Sequence, residues 1–184
     1  MTSTTRLAEA QLGGREIRRV VFTEEEVQRR VRELGAEISD AYTIEDRLLV
    51  LGLLKGSFVF LADLVRHVAL PLHVDFLVAS SYGKGKVSTG DVRLLYDPEL
   101  SLEGRAVLLV EDIVDSGTTL RKLLPRLQAR GPSSLDVCTL LHKRTDGDGH
   151  RPRFVGFDAP NEFLVGYGLD HAEDFRHLPY IASL

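Results

Sequence analysis

The chain has 184 residues, 43% hydrophobic and 27% charged, with a formal net charge of −4. That composition supports a buried core and excludes wholesale disorder, and its mild acidity argues against a nucleic-acid coat or a polybasic membrane binder. A single cysteine, Cys138, excludes an internal disulfide and reads as a small buried side chain, and no apolar run reaches the roughly 20 residues of a membrane span. Residues 1–14 are small and polar, end in Gly13-Gly14, and read as a flexible tail ahead of one domain over residues 15–184. They hold no apolar leader stretch, so a cytoplasmic location is expected. Arg15–Phe22 reads as a short strand. Thr23 opens a helix with Glu26 placed for a capping box, and Val27, Val31, Leu34 and Ile38 follow at helical spacing. Leu48–Leu54 is the unbroken apolar run of a strand buried on both faces. It breaks at Lys55-Gly56-Ser57, and Phe58–Val68 resumes with helical period through Leu61, Leu64, Val65 and Val68. His73–Ala79 is the next strand. Ser80–Gly90 joins glycines, hydroxyls and lysines with little apolar anchorage, reads as an exposed mobile loop, and leads to a returning strand at Asp91–Tyr96. Arg105–Val110 is a second buried strand, followed by Glu111–Thr119 and a helix from about Thr119 to Arg130, closed by Gly131-Pro132. Leu135–Leu141 is a strand, Thr145–Pro152 a polar turn, and Phe154–Phe157 and Phe163–Val165 short strands. This alternation predicts an α/β fold with a mostly parallel sheet flanked by helices, in which ligands sit at the carboxyl ends of the strands.

The most informative stretch is Val107–Leu120, VLLVEDIVDSGTTL. A buried strand runs into two adjacent acids, Glu111 and Asp112, and a third, Asp115, lies in the turn that starts a helix. Ser116, Gly117, Thr118 and Thr119 offer backbone N–H groups and hydroxyls at that helix start, which makes an anion site, and Gly117 lets the backbone approach the ligand. Paired carboxylates beside an anion site can accept hydrogen bonds from vicinal sugar hydroxyls, so the segment fits a ribose 5-phosphate. A helix cap alone would explain Asp115 and Thr118, but not two further acids at a buried strand end, where desolvation is costly. The Gly-Lys-Ser/Thr ending of a Walker loop is absent.

VLLVEDIVDSGTTL resembles the phosphoribosyl-diphosphate (PRPP) signature of the type I phosphoribosyltransferases, and its Glu-Asp pair resembles the hypoxanthine-guanine branch. LLKGSFVFLADL at 53–64, SSYGKGKVSTGDVRL at 80–94, LLHKRT at 140–145 and the segment 154–181 match in the same order. The resemblance implies the family's parallel-sheet core with a small hood from the N- and C-terminal segments. It implies that Glu111 and Asp112 hold the ribose hydroxyls, that Ser116, Gly117, Thr118 and Thr119 hold the 5′-phosphate, and that Asp115 faces purine N7 as the proton acceptor. Leu54, Lys55 and Gly56 correspond to the pyrophosphate loop, with a cis bond before the lysine, and Arg176 to a further pyrophosphate ligand. Lys143 would donate to the purine 6-oxo group, Phe163 would stack on the ring, and Leu164 would supply backbone contacts to its edge. Asp170, with Glu111 and Asp112, would hold Mg²⁺. Ser81 and Tyr82 would belong to a mobile lid. The implied substrates are PRPP, hypoxanthine and guanine, the implied assembly a homodimer or homotetramer, and no nucleic-acid or membrane partner is expected. A non-enzymatic PRPP-binding regulator of RNA is the rival, disfavoured by the −4 charge and by the intact Asp115. A phosphoribosyltransferase preferring xanthine is a further alternative, since His142 and the 145–152 turn depart from the relatives. The histidines show no metal-ligand spacing, so zinc is not expected.

Overall fold

A computed structural model describes residues 16–81, 92–143 and 151–184, with the backbone alone at residues 80, 81 and 92–95. The N-terminal tail, Tyr82 with the rest of the expected lid, and most of the 145–152 turn lie outside these residues.

Helix α1 (Glu24–Ala41) begins as its sequence dictates. The Thr23 hydroxyl accepts from Glu26 N at 3.3 Å, and the Glu26 carboxylate accepts from Thr23 N at 2.8 Å. Val27, Val31, Leu34 and Ile38 are fully buried along one stripe. Each such burial is worth about 1.5–3 kcal/mol, which is what holds the helix on the sheet. Flanking that stripe is the half-buried Arg30, whose guanidinium donates to the Val155 and Gly156 carbonyls at 2.8 and 3.0 Å and so ties α1 to the last strand of the sheet.

The main sheet contains β2 (Leu49–Leu54), β3 (His73–Ser81), β4 (Val92–Tyr96), β5 (Ala106–Val114), β6 (Ser134–His142) and β7 (Phe154–Asp158), in the order β4-β3-β2-β5-β6-β7. All neighbours are parallel except β4, which returns antiparallel along β3. Helices α1 and α2 (Phe58–Val65) pack with Val50, Leu108, Val110 and Cys138 on one face. Helix α3 (Thr118–Gln128) packs Leu120, Leu123 and Leu127 on Leu49, Leu51, Val107 and Leu109 on the other. Burial on both faces accounts for the continuous apolar runs of β2 and β5.

A second sheet, in the order β1-β9-β8, joins β1 (Arg19–Phe22) to β9 (Ile181–Ser183) and β8 (Leu164–Val165), all antiparallel. Strand β9 is one the sequence pattern does not announce. Two further elements differ from expectation. Helix α2 stops at Val65, where the Arg66 and His67 amides turn back to the Asp63 and Leu64 carbonyls. Strand β5 does not end at Val110 but continues to Val114, paired with β6 as far as Val114↔His142. Among the described residues no helix is long and apolar enough to cross a membrane.

Candidate active site

The parallel register brings the ends of β2, β5 and β6 to one edge, where Lys55-Gly56, Asp115 and Lys143 leave the sheet. There the turn after β5 enters α3. Gly117 caps that helix in the left-handed region at φ 66°, and its carbonyl accepts from Arg121 N at 2.9 Å. The first turn of α3 holds no acidic residue, so its N–H groups and dipole favour an incoming anion. The Ser116 and Thr118 hydroxyls are 2.9 Å apart. Arg121 reaches back over them, donating to the Ser116 carbonyl and to Thr118 Oγ1, both at 2.9 Å. Sequence reasoning passes over Arg121, although its i, i+3 spacing from Thr118 is a signal that could have found it.

Glu111 and Asp112 precede this turn on β5. Glu111 is 4% exposed, and burial first, then the charge of Asp112, pushes its carboxyl up to about 8. It is therefore mostly protonated at neutral pH, able both to donate and to accept a hydrogen bond. Asp112 is also pushed up, chiefly by burial and further by Asp170, while the Ile113 amide at 2.9 Å and the Arg176 charge pull the other way. Its Oδ2 lies against Gly56, where a Cβ would stand only 1.6 Å away. Glycine at 56 is thus required by the carboxylate beside it.

The peptide bond between Leu54 and Lys55 is cis. Onto this loop folds the segment after β8. A Cβ on Gly168 would come within 2.1 Å of the Gly56 carbonyl, so the two backbones touch. Tyr167 anchors the segment from the other side, donating its hydroxyl to Asp63 of α2 at 2.6 Å. Arg176 donates to the Gly168 carbonyl at 2.8 Å, and its Nη2 lies 2.8 Å from Asp170 and 3.1 Å from Glu173. Lys55 Nζ completes the network at 3.1 Å from the other Glu173 oxygen. Glu173 is a second residue that sequence reasoning leaves out.

At the end of β6, Lys143 N donates to the Val114 carbonyl at 2.9 Å, and its ammonium lies 3.2 Å from Asp115 Oδ2. Lys143 is largely enclosed, whereas Asp115 is 58% exposed. Phe163 is half exposed and meets the His171 ring edge-on, with centroids 5.3 Å apart, and Leu164 is buried in β8. The backbone of Ser81 ends β3, paired with Val92. Among the described residues no group of three or more His, Cys, Asp or Glu is placed to hold an ion, so Glu111, Asp112 and Asp170 do not form a ready cage. What they offer is hard oxygen donors, with Asp112 and Asp170 close enough to repel, which fits a Mg²⁺ ion that takes its remaining ligands from substrate and water.

The phosphoribosyl transferase domain profile matches residues 21–172. A hypoxanthine phosphoribosyltransferase of Salmonella typhimurium is 48% identical over 167 residues, covering 90% of this chain and 94% of that protein. A hypoxanthine-guanine phosphoribosyltransferase of Bacillus subtilis is 44% identical over 171 residues, covering 92% and 94%. The crystal structure of a hypoxanthine-guanine phosphoribosyltransferase from Bacillus anthracis superposes with a TM-score of 0.85 at 44% identity, over 92% of this chain and 99% of that one.

Proposed function

The chain belongs to the phosphoribosyltransferase family, and from that footing we propose that it transfers the 5-phosphoribosyl group of PRPP to N9 of hypoxanthine or guanine. The products are IMP or GMP and pyrophosphate, a purine-salvage reaction. The observation that carries the choice of base is the Lys143–Asp115 pair at 3.2 Å. O6 and N7 are adjacent on one edge of a 6-oxopurine, so an ammonium donor beside a carboxylate acceptor matches that edge when N7 carries the proton. Adenine would set its 6-amino donor against the ammonium.

In the reaction the C1′–oxygen bond to pyrophosphate breaks with the electron pair leaving on pyrophosphate. N9 forms the new bond to C1′, and the N7 proton passes to Asp115. The start of α3 with Ser116, Gly117, Thr118 and Thr119 holds the 5′-phosphate, and Arg121 secures that turn. Glu111 and Asp112 hold the ribose hydroxyls. Lys55, Gly56 and Arg176 hold pyrophosphate, and Phe163 and Leu164 of the small sheet form the hood side of the base pocket. Asp112 and Asp170 would hold Mg²⁺, which would supply charge neutralisation for the leaving group. A homodimer or homotetramer is part of this reading and is measurable by sedimentation.

The test is product formation from PRPP and Mg²⁺ with hypoxanthine, guanine, xanthine and adenine in parallel. Hypoxanthine and guanine are expected to react and adenine not. Adenine turnover equal to that of hypoxanthine would overturn the assignment, and a marked preference for xanthine would shift it to that base.

A further inference from the structure

The geometry points to Glu173 as an internal stand-in for the leaving group, a carboxylate that bridges Lys55 and Arg176 and has to withdraw before PRPP or pyrophosphate can bind. The inference rests on the phosphoribosyl-transfer reading for the identity of the anion. One Glu173 oxygen lies 3.1 Å from Lys55 Nζ and the other 3.1 Å from Arg176 Nη2. Two cations spanned by the two oxygens of one anion is the arrangement that a pyrophosphate oxygen pair would repeat. The carboxylate is also held as an anion. Lys55 first, then Arg176, keeps it below the usual carboxylate range.

The backbone aims it there. Ala172 and Glu173 both adopt left-handed angles, φ 53° and 71°, which non-glycine residues seldom do in succession. The turn is held by the Glu173 amide donating to Asp170 Oδ2 at 2.8 Å and by paired backbone bonds between His171 and Asp174. Meanwhile the Glu173 and Lys55 side chains are 65% and 67% exposed, so their pairing is weak and an incoming polyanion displaces it readily. Arg176 does not lose its place when Glu173 leaves, because Asp170 and the Gly168 carbonyl hold it independently. Glu173 therefore competes with the ligand without being needed to build its site. Each departure of pyrophosphate is assisted by its return.

The experiment compares the wild-type chain with Glu173→Gln, Glu173→Asp and Asp174→Asn. It measures pyrophosphate affinity by calorimetry without base or PRPP, and KM for PRPP and for hypoxanthine in the forward reaction. Glu173→Gln should tighten pyrophosphate binding and lower KM for PRPP about 3- to 10-fold, with KM for hypoxanthine unmoved. Glu173→Asp, one methylene short of bridging both cations, should shift the same way. Asp174→Asn removes an equal charge next door and should change affinity by less than 2-fold. Unchanged or weakened pyrophosphate binding in Glu173→Gln would overturn the inference. So would an equal gain in Asp174→Asn, which would reduce the effect to general electrostatics. Failure of the transfer reading shows separately, as an inactive wild type, and leaves the calorimetric comparison standing.

Discussion

An ammonium and a carboxylate 3.2 Å apart satisfy one another until a ligand comes between them, so Lys143 and Asp115 stand as a matched donor and acceptor before any base arrives. Asp115→Asn preserves the shape and removes the proton acceptor. Turnover should fall by about 10²–10⁴, while PRPP affinity changes far less because the phosphate turn is untouched. Steady-state assays alongside calorimetry measure both, and unchanged turnover would leave Asp115 a helix-start residue only. Glu111 gives a prediction in pH. Its folded-state carboxyl is raised to about 8 from an unfolded value of 4.5, so the folded protein holds a proton that the unfolded chain releases between those values. Its contribution is therefore fully present below about pH 4.5 and is lost as pH rises toward 8, by an amount on the order of a few kcal/mol. Urea melts of the ligand-free protein in a chelator should show stability falling across that window, and Glu111→Gln should flatten the slope. A slope identical in the variant would mean that Glu111 is charged in the fold.

Among the elements, α1 is the most self-contained. Thr23→Ala removes a cap that accepts from the Glu26 amide, and should cost about 1 kcal/mol in a denaturant melt with activity per folded molecule unchanged. No change in the melt would mean that the cap is dispensable. This helix was legible in the sequence because its cap and its stripe lie within the element. The apolar runs of β2 and β5 were legible for a similar reason, since burial on both faces leaves its mark on every residue. Past Val110 the signal fails for a physical cause. Glu111 and Asp112 interrupt the run, and Ile113 and Val114 then pack with opposite clusters from those the earlier alternation assigns. Strand β9 is a strand only because β1 and β8 lie on either side of it, and three residues carry too little pattern to say so. The site divides in the same way. Residues of the local motif 111–119 could be read together, and Arg121 carries a local signal in its spacing from Thr118, whereas Glu173 owes its place to Lys55, which meets it from across the fold.

At the scale of the molecule, two large apolar clusters sandwich the main sheet, while the small sheet packs Leu164 and Ile181 into one of them and closes Val165 and Ala182 over Phe175 and Leu178 on its other face. Its strands are only two to four residues long and one of its faces closes over a four-residue cluster, so the small sheet should open before the six-stranded one. Cys138 reports on the rest, because it is fully buried in the main core and burial holds its thiol well above the usual range. In a urea titration, turnover should disappear at a lower concentration than the one at which Cys138 becomes open to a thiol reagent. Coincident midpoints would show a single cooperative unit. Lys55, Asp115 and Lys143 would survive such a partial opening in place, while Phe163, Asp170 and Arg176 would leave with the small sheet.

The register of that sheet also decides how the molecule yields to a pull. Because β1 runs antiparallel to β9 with Arg19 opposite Ser183 and Phe22 opposite Ile181, tension applied through those outer ends meets the ladder at its tip. The bonds are then loaded one after another, as in a zipper, instead of sharing the load in shear. Held between an optical trap and a surface by those ends, the protein should part with its small sheet at low force, and lose Asp170 and Arg176 with it, well before the parallel strands begin to resist.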